Sequence, residues 1–265
     1  MSRVLSEVGF VHLHVHSSYS LLEGALTIAA LGKIASADRQ PALALTDTNN
    51  LFGTLEFSEK FSGLGIQPIA GLQLTVEFEA PDPTARNAVS GVGNIVLLAQ
   101  TEEGYRNLMR LASRAYFDVG LGESPQVSAS RLRAHAEGLL ALTGGLTGPL
   151  DMALRTGGRS DLAAQRLELL KDSFGPNLYV ELQRHGRDDE RAIEAHLVDL
   201  ADGNGLPLVA TNEAFFAKPS DYEAHDALLA IAEGRIVSDD SRRRLTPQYD
   251  LKTRAEMMRL FADMP

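Results

Sequence analysis

The sequence of 265 residues contains no cysteine. This absence excludes disulfide bonds and every metal site with thiolate ligands, and it fits a reducing compartment. No run of about 18 apolar residues occurs, so no membrane-spanning helix is expected. The N-terminal residues also lack the apolar core of a secretory signal peptide. We therefore expect a cytoplasmic globular protein.

Positive charge is scarce, because 25 Lys and Arg residues stand against 35 Asp and Glu residues and give a net charge of −10. Such a surface repels phosphate backbones on average, so tight binding of duplex DNA by this chain alone is not expected. One basic cluster, Arg242, Arg243 and Arg244, follows Asp239 and Asp240. This mixture of charges favours a solvated loop.

Short apolar segments alternate with amphipathic segments along the chain. Strands are predicted over residues 10–16, 41–45, 67–79, 94–99, 138–142, 178–182 and 207–210. Helices are predicted over residues 27–37, 51–62, 102–116, 161–173, 188–202, 220–233 and 253–263. The alternation predicts βαβ units and a mainly parallel sheet, and seven strands suit a closed or nearly closed β/α barrel.

Two segments rich in glycine and proline are predicted to be loops. Residues 80–93 follow a strand that is long enough to form a hairpin, and residues 118–128 follow a helix. No clean linker between domains occurs. We therefore expect a single domain over residues 1–265.

The strongest local motif is His12-Leu13-His14-Val15-His16. Alternate side chains of a strand share one face, so the three imidazoles would point the same way. Imidazoles at a strand end with a carboxylate nearby suit zinc or manganese, and Glu23 follows shortly. The alternative is a polar strand end that holds no metal.

Other candidate residues lie at strand ends. His185 is a candidate ligand, and Asp47 is either a ligand or the N-cap of the following helix. Glu213 precedes two phenylalanines, so burial there would raise its pKa. Histidines 135, 196 and 225 do not lie at strand carboxyl ends; for His196 and His225, which fall in helices, surface or packing roles are expected.

Residues 143–148, TGGLTG, follow a strand and open a helix. They allow either an anion site at a helix N-terminus or a tight strand-to-helix turn, and the turn is the more ordinary interpretation. The P-loop, nucleophile-elbow, HExxH and EF-hand motifs are absent from the sequence.

Several motifs together resemble one known family. Residues 10–24, FVHLHVHSSYSLLEG, resemble the opening of the PHP (polymerase and histidinol phosphatase) domain, and more narrowly of the PHP domains of bacterial replicative DNA polymerase III alpha subunits. Further agreement lies in residues 41–47, 50–53, 65–71, 104–108, 137–139 and 208–212. The resemblance implies a distorted barrel of seven β/α units. It also implies an N-terminal fragment of a larger polymerase, with residues 236–265 leading towards the next domain.

The resemblance places the family's metal ligands on particular residues. The positions at His14, His16 and Glu23 are kept, Glu213 still offers a carboxylate, and His12 precedes the ligand pair without belonging to it. The positions that have lost their ligand are Thr48, Gln73, Asn94, Gly145 and Phe215. The survivors could hold one ion but cannot build a multi-metal cluster that activates water.

The resemblance therefore implies a degenerate metal site with no catalytic residue. The expected role is a non-catalytic scaffold that stabilises the polymerase and docks its proofreading exonuclease subunit. The alternatives are a metal-dependent phosphoesterase or 3′–5′ exonuclease, and a free-standing enzyme similar to histidinol phosphatase. The domain would need no cofactor, one residual zinc or manganese ion stays open, and the parent polymerase would use magnesium. DNA would be reached only through the parent protein, and no membrane partner is expected.

Overall fold

Strands and helices alternate through residues 9–79, 89–156 and 158–264, which are the residues that the computed structural model describes. The strands are β1 (Ala42–Leu45), β2 (Gln67–Glu77), β3 (Val92–Ala99), β4 (Val127–Ser128), β5 (Leu139–Leu142), β6 (Leu178–Gln183) and β7 (Leu208–Thr211). The helices are α1 (Ile28–Ala37), α2 (Thr54–Gly63), α3 (Glu102–Phe117), α4 (Ala129–Arg133), α5 (Pro149–Arg155), α6 (Ser160–Phe174), α7 (Asp188–Asn204), α8 (Tyr222–Ala232) and α9 (Arg254–Leu260).

The strands form one curled sheet in the order β1-β2-β3-β5-β6-β7, with β4 paired to β2. The pairs β1–β2, β2–β4, β5–β6 and β6–β7 are parallel, whereas β3 runs antiparallel to both of its neighbours. The predicted α/β barrel with a mainly parallel sheet is thus confirmed, with β3 as the exception. Its direction follows from the predicted hairpin with β2, of which residues 80–88 lie outside the described residues.

The segment of residues 10–16 joins the two outer strands of the sheet. It was predicted as a strand, but only isolated bridges occur, from His12 to Leu43 and from Val15 to Ala214. The amide of Ala44 donates to the His12 carbonyl at 2.8 Å, and the amide of His16 donates to the Ala214 carbonyl at 2.9 Å. The prediction of a regular strand is wrong because the segment divides its hydrogen bonds between two neighbours. It thereby brings the barrel close to closure.

Successive side chains of a strand point to opposite faces of the sheet and so belong to different apolar clusters. In β6, Leu178, Val180 and Leu182 belong to the cluster that packs the sheet against the helices. The opposite face of the sheet carries a smaller cluster, which contains Ala44, Val96, Leu98 and Leu142. Polar residues of the same strands that face this way therefore lie inside the barrel, and this places the candidate site there.

Side-chain caps define where several helices begin. Thr27 accepts from the amide of Ala30 at the start of α1, and Thr101 accepts from the amide of Gly104 at the start of α3. Gly104 is required for packing, because a Cβ there would lie 1.9 Å from the carbonyl oxygen of Gly138. The loop predicted over residues 118–128 ends in β4, which the sequence did not indicate.

The C-terminal segment packs onto the barrel. Met257 of α9 is completely buried in the cluster between sheet and helices, and Phe261 joins the same cluster. The single domain over residues 1–265 stays a prediction, as does the role of residues 236–265 as its edge. Among the described helices, none combines the length and the apolar character that crossing a membrane requires.

Candidate metal centre

Three buried side chains converge inside the barrel: His14, His16 and Glu213. One nitrogen or oxygen atom from each lies within 4.8 Å of the other two. Glu213 Oε1 is 3.5 Å from His16 Nε2 and 3.7 Å from His14 Nε2. The two histidines come from the segment that joins the outer strands, and Glu213 follows β7 in the loop that pairs with that segment. The bridge between this segment and the residues after β7 therefore assembles the group.

The donor set and its geometry fit one metal ion. His16 Nε2 is buried without a hydrogen-bond partner among the described residues, although it lies closest to the carboxylate of Glu213. Two imidazoles and one carboxylate are ligands that zinc accepts, and manganese accepts them as well. The group could thus hold a single zinc or manganese ion with three protein ligands.

Opposite charges shift the pKa values inside this group. Burial alone would raise the pKa of Glu213, but the close approach of His16, at 3.5 Å, and the charge of His14 outweigh it and lower the pKa to about 2. The raised pKa that the neighbouring phenylalanines suggested is therefore wrong. Burial would likewise lower the pKa of His14, but the charges of Glu181 and Glu213 raise it to about 9. Without a metal, an imidazolium and a carboxylate stabilise each other here.

Glu181 of β6 is a residue of the candidate site that the sequence analysis did not identify. Its side chain is completely buried, and Oε1 accepts from His14 Nδ1 at 2.7 Å. Oε1 also accepts from the Thr211 hydroxyl and from Gln183 Nε2, and Oε2 accepts from the amide of Gly144 at 2.8 Å. Strand alternation was the available indication, because Glu181 and Gln183 share the face opposite to the apolar residues of β6.

Two of the degenerate positions hydrogen-bond to the residues that are kept. Gln73 Oε1 lies 2.7 Å from His14 Nε2, and the Thr48 hydroxyl donates to Glu23 Oε2 at 2.7 Å. Glu23 is not a member of the three-residue group, although it was predicted as a ligand. Its second oxygen, Oε1, lies 3.7 Å from the guanidinium of Arg243.

The remaining degenerate positions are filled in other ways. Phe215 stacks on the His16 ring, with ring centroids 4.4 Å apart and an angle of 9° between the planes. A Cβ on Gly145 would lie 2.2 Å from the amide oxygen of Gln183, so Gln183 occupies the space beside that glycine. Asn94 bonds to the hydroxyls of Thr75 and Thr147. The predicted set of remnant ligands stays a prediction, of which the structure brings three together.

The other histidines lie apart from the group. His12 donates from Nε2 to the carbonyl of Lys252, and burial lowers its pKa to about 4. His185 bonds to Glu190 through Nδ1 at 2.7 Å and is not in the group. His225 donates to the carbonyl of Glu23, which is a packing role as predicted. His135 and His196 are likewise not among the grouped ligands.

Asp47 and the glycine-rich turn have structural roles. Asp47 accepts from the Ser17 amide and from the hydroxyls of Ser17 and Ser20, all at 2.7 Å. It does not cap α2, whose N-cap residue is Gly53, so that alternative is wrong because the serines take both carboxylate oxygens. Gly144 adopts a φ of +85°, and its amide donates to Glu181, which agrees with a tight turn.

The basic cluster at residues 242–244 divides into residues with different surroundings. Arg242 has a completely buried side chain that pairs with Asp226, so the expectation of a solvated loop is wrong for this residue. Arg243 and Arg244 are about 40% exposed, at 39% and 42%. Both line a cavity of about 350 Å³ to which Glu213 also contributes, so the loop lies over the candidate centre.

Comparison with known proteins gives a family and two close relatives. The sequence matches the family model described as PHP domain over residues 12–185. The DNA polymerase III subunit alpha of Caulobacter vibrioides is 46% identical over 257 residues, which cover 97% of this chain and 22% of that protein. The DNA polymerase III subunit alpha of Treponema pallidum is 38% identical over 267 residues, with coverages of 98% and 22%. The chain thus spans about a fifth of the length of these relatives.

Solved structures resemble the chain more distantly. An amidohydrolase from Chromobacterium violaceum superposes with a TM-score of 0.49 and 16% sequence identity, over 77% of this chain and 87% of that one. A likeness at this level supports no inference about chemistry.

Proposed function

Since the chain belongs to the PHP domain family, as its motifs predict, we propose that it forms the N-terminal domain of a bacterial replicative DNA polymerase and acts there as a non-catalytic scaffold. The observation that carries this proposal is the alignment of 97% of the chain with 22% of a DNA polymerase III alpha subunit. The parent protein would be a cytoplasmic DNA-directed DNA polymerase that uses magnesium. Its polymerase chemistry would reside outside these 265 residues.

The contacts inside the barrel support a metal site without catalytic activity at His14, His16 and Glu213, which we call the silent site. Phosphoester hydrolysis by a multi-metal cluster needs cations that both activate water and clamp the phosphate. The three grouped donors offer places for one ion, and both ring nitrogens of His14 are hydrogen-bonded, Nε2 to Gln73 and Nδ1 to Glu181. A bound zinc or manganese ion would supply Lewis acidity, and His14, His16 and Glu213 would hold it. We propose that the scaffold role requires no such ion.

An apolar groove on the outside of the barrel supports a docking role. It is lined by Phe52, Met109, Tyr116 and Phe117, which are 42% to 79% exposed, and its volume is about 460 Å³. Exposed apolar patches of this kind mark protein interfaces. Because about four fifths of each relative lies beyond the aligned region, we propose that the remainder of the parent polymerase covers this groove. The proofreading exonuclease subunit is proposed as a further partner of the domain.

The metal content of the purified chain tests the silent site. The chain is incubated with zinc and with manganese, desalted and analysed by inductively coupled plasma mass spectrometry. We expect at most one ion per chain, and none after His14→Ala with His16→Ala. Two or more retained ions, together with hydrolysis of a 3′ nucleotide that the double substitution abolishes, would overturn the scaffold proposal in favour of the phosphoesterase or exonuclease.

Substitution in the groove tests the docking role. In the full-length parent polymerase, Phe52→Ser with Phe117→Ser is expected to lower the melting temperature, whereas the 265-residue chain alone should keep its own. Leu169→Ser, at a residue of α6 that is 40% exposed, is the matched control. If the parent keeps its stability but loses co-elution with the exonuclease subunit, the groove binds the exonuclease instead. Unchanged behaviour in both assays would exclude the groove as an interface.

A further inference from the structure

Glu23 is held away from the three residues that could bind a metal ion. One of its carboxylate oxygens accepts from Thr48, and the other lies 3.7 Å from Arg243 Nη1. The Glu23 side chain is 29% exposed, whereas the side chains of His14 and His16 are fully buried and that of Glu213 is 3% exposed. A carboxylate that could complete the coordination of an ion is thus engaged by a hydroxyl and a guanidinium.

The loop that carries Arg243 is anchored by the preceding residue, Arg242. Arg242 has a completely buried side chain, and its Nη1 donates to Asp226 Oδ1 at 2.6 Å. The same guanidinium donates through Nε and Nη2 to the carbonyl of Val237, at 3.2 and 3.0 Å. These bonds tie the loop to α8 and to the residues that follow it. Arg243, the next residue of this anchored loop, lies beside Glu23, with 3.7 Å between Nη1 and Oε1.

Arg243 also shares the cavity over the candidate centre with Glu213. A fixed positive charge that faces the carboxylates of a cation site opposes the entry of a cation. Arg244 lines the same cavity, but it pairs with Asp240, whose side chain is 95% exposed. The two arginines therefore differ in partner while they share loop, charge and similar exposure.

We propose that Arg243 acts as a built-in cation that holds Glu23 out of the His14–His16–Glu213 group and lowers the affinity of this group for a divalent metal ion. This proposal extends the proposed function, in which the metal site is inactive, and it rests on that function. It attributes the low metal affinity of the silent site to a residue that is not one of the ligand positions implied by the family resemblance. Replacing Arg243 removes the ionic contact to Glu23 and leaves the hydrogen bond from Thr48 in place.

Isothermal titration of the 265-residue chain with Zn²⁺ and with Mn²⁺ tests this assignment. Arg243→Gln is expected to bind the ion about tenfold more tightly than the unsubstituted chain, because one opposing charge is removed and Glu23 loses its ionic contact. Arg244→Gln, the matched control, should change the affinity less than about twofold. Adding Glu23→Gln to Arg243→Gln should remove the gain.

Three results would overturn the assignment. The first is equal metal affinity, or no binding, for both Arg243→Gln and the unsubstituted chain. The second is an equal increase in affinity for the two arginine substitutions. The third is an increase in affinity that persists when Glu23→Gln is added. A separate result would contradict the proposal that the site is silent, namely tight binding of two or more ions by the unsubstituted chain. Circular dichroism melting of each variant establishes that the fold is intact, as expected for a half-exposed side chain.

Discussion

The imidazole of His14 and the carboxylate of Glu181 form an ion pair of 2.7 Å in which both side chains are completely buried. Removing one partner of such a pair leaves an uncompensated charge in the interior. We therefore expect Glu181→Gln to lower the free energy of unfolding by about 3 kcal/mol. Urea denaturation monitored by circular dichroism measures the change.

Glu168→Gln serves as the comparison for this substitution. Glu168 pairs with Lys171 on α6, and its side chain is 60% exposed, so its loss should cost less than about 0.5 kcal/mol. Similar effects of the two substitutions would contradict a special role for the buried pair.

The raised pKa of His14 predicts a dependence of stability on pH. Burial opposes protonation, but the charges of Glu181 and Glu213 raise the pKa from 6.5 to about 9. The folded state then binds a proton more tightly than the unfolded state. The resulting stabilisation is fully present below pH 6.5 and is lost as the pH rises towards about 9.

Urea denaturation between pH 6.5 and 9 measures this loss, which approaches about 1.4 kcal/mol per pH unit for one proton. His14→Asn removes the titrating group, so this part of the profile should become nearly flat. A midpoint of the His14 imidazole near 6.5 in an NMR titration would contradict the prediction. The chain must be kept free of metal, since a bound ion would displace the proton.

The sequence predicted most of the fold because apolar periodicity reports directly on burial. The alternation of strands and helices was correct, and so was the hairpin that turns β3 antiparallel. The segment of residues 10–16 was predicted as a strand because its apolar and polar residues alternate. Its two isolated bridges depend on partners at Leu43 and Ala214, which local pattern cannot supply.

The candidate site was predicted less completely than the fold. The resemblance implied His14, His16, Glu23 and Glu213 as remnant ligands, and the structure brings His14, His16 and Glu213 together. It did not indicate Glu181, since no inherited ligand position falls there. The cluster of charges at residues 242–244 predicted a solvated loop, which is wrong for Arg242. Its burial depends on Asp226, a partner 16 residues away that the local pattern does not indicate.

Gly145 and Gln183 occupy neighbouring space, so a side chain at the glycine should destabilise the fold. Gly145 has a φ of +57°, and an added Cβ would lie 2.2 Å from the Gln183 amide. We expect Gly145→Ala to lower the free energy of unfolding by about 2 kcal/mol. Gly203→Ala, at a site in α7 with no atom within 4 Å, should instead raise it by about 0.5 kcal/mol.

A double-mutant cycle with Gln183→Ala separates crowding from backbone strain. If Gln183 is the obstacle, the cost of Gly145→Ala should fall by about 1 kcal/mol in the variant that lacks the amide. An unchanged cost would assign the whole effect to the positive φ.

Arg242 anchors the loop over the candidate centre, so its loss should expose that loop to cleavage. The neighbouring Ile236 and Val237 are 72% and 51% exposed, which makes them accessible sites for thermolysin once the loop opens. Arg242→Ala is expected to speed cleavage there by about tenfold, because local opening governs proteolysis. Arg244→Ala, whose partner Asp240 is exposed, should leave the rate within about twofold.

The same variant connects loop anchoring to metal affinity. If Arg242 positions Arg243, then Arg242→Ala should both increase cleavage near residue 236 and release Glu23, with tighter binding of Zn²⁺ as the second result. Faster cleavage without a gain in affinity would mean that Arg243 keeps its contact with Glu23 independently of the anchor. A gain in affinity without faster cleavage would mean that the charge of Arg242 itself opposes the ion, although its guanidinium is neutralised by Asp226.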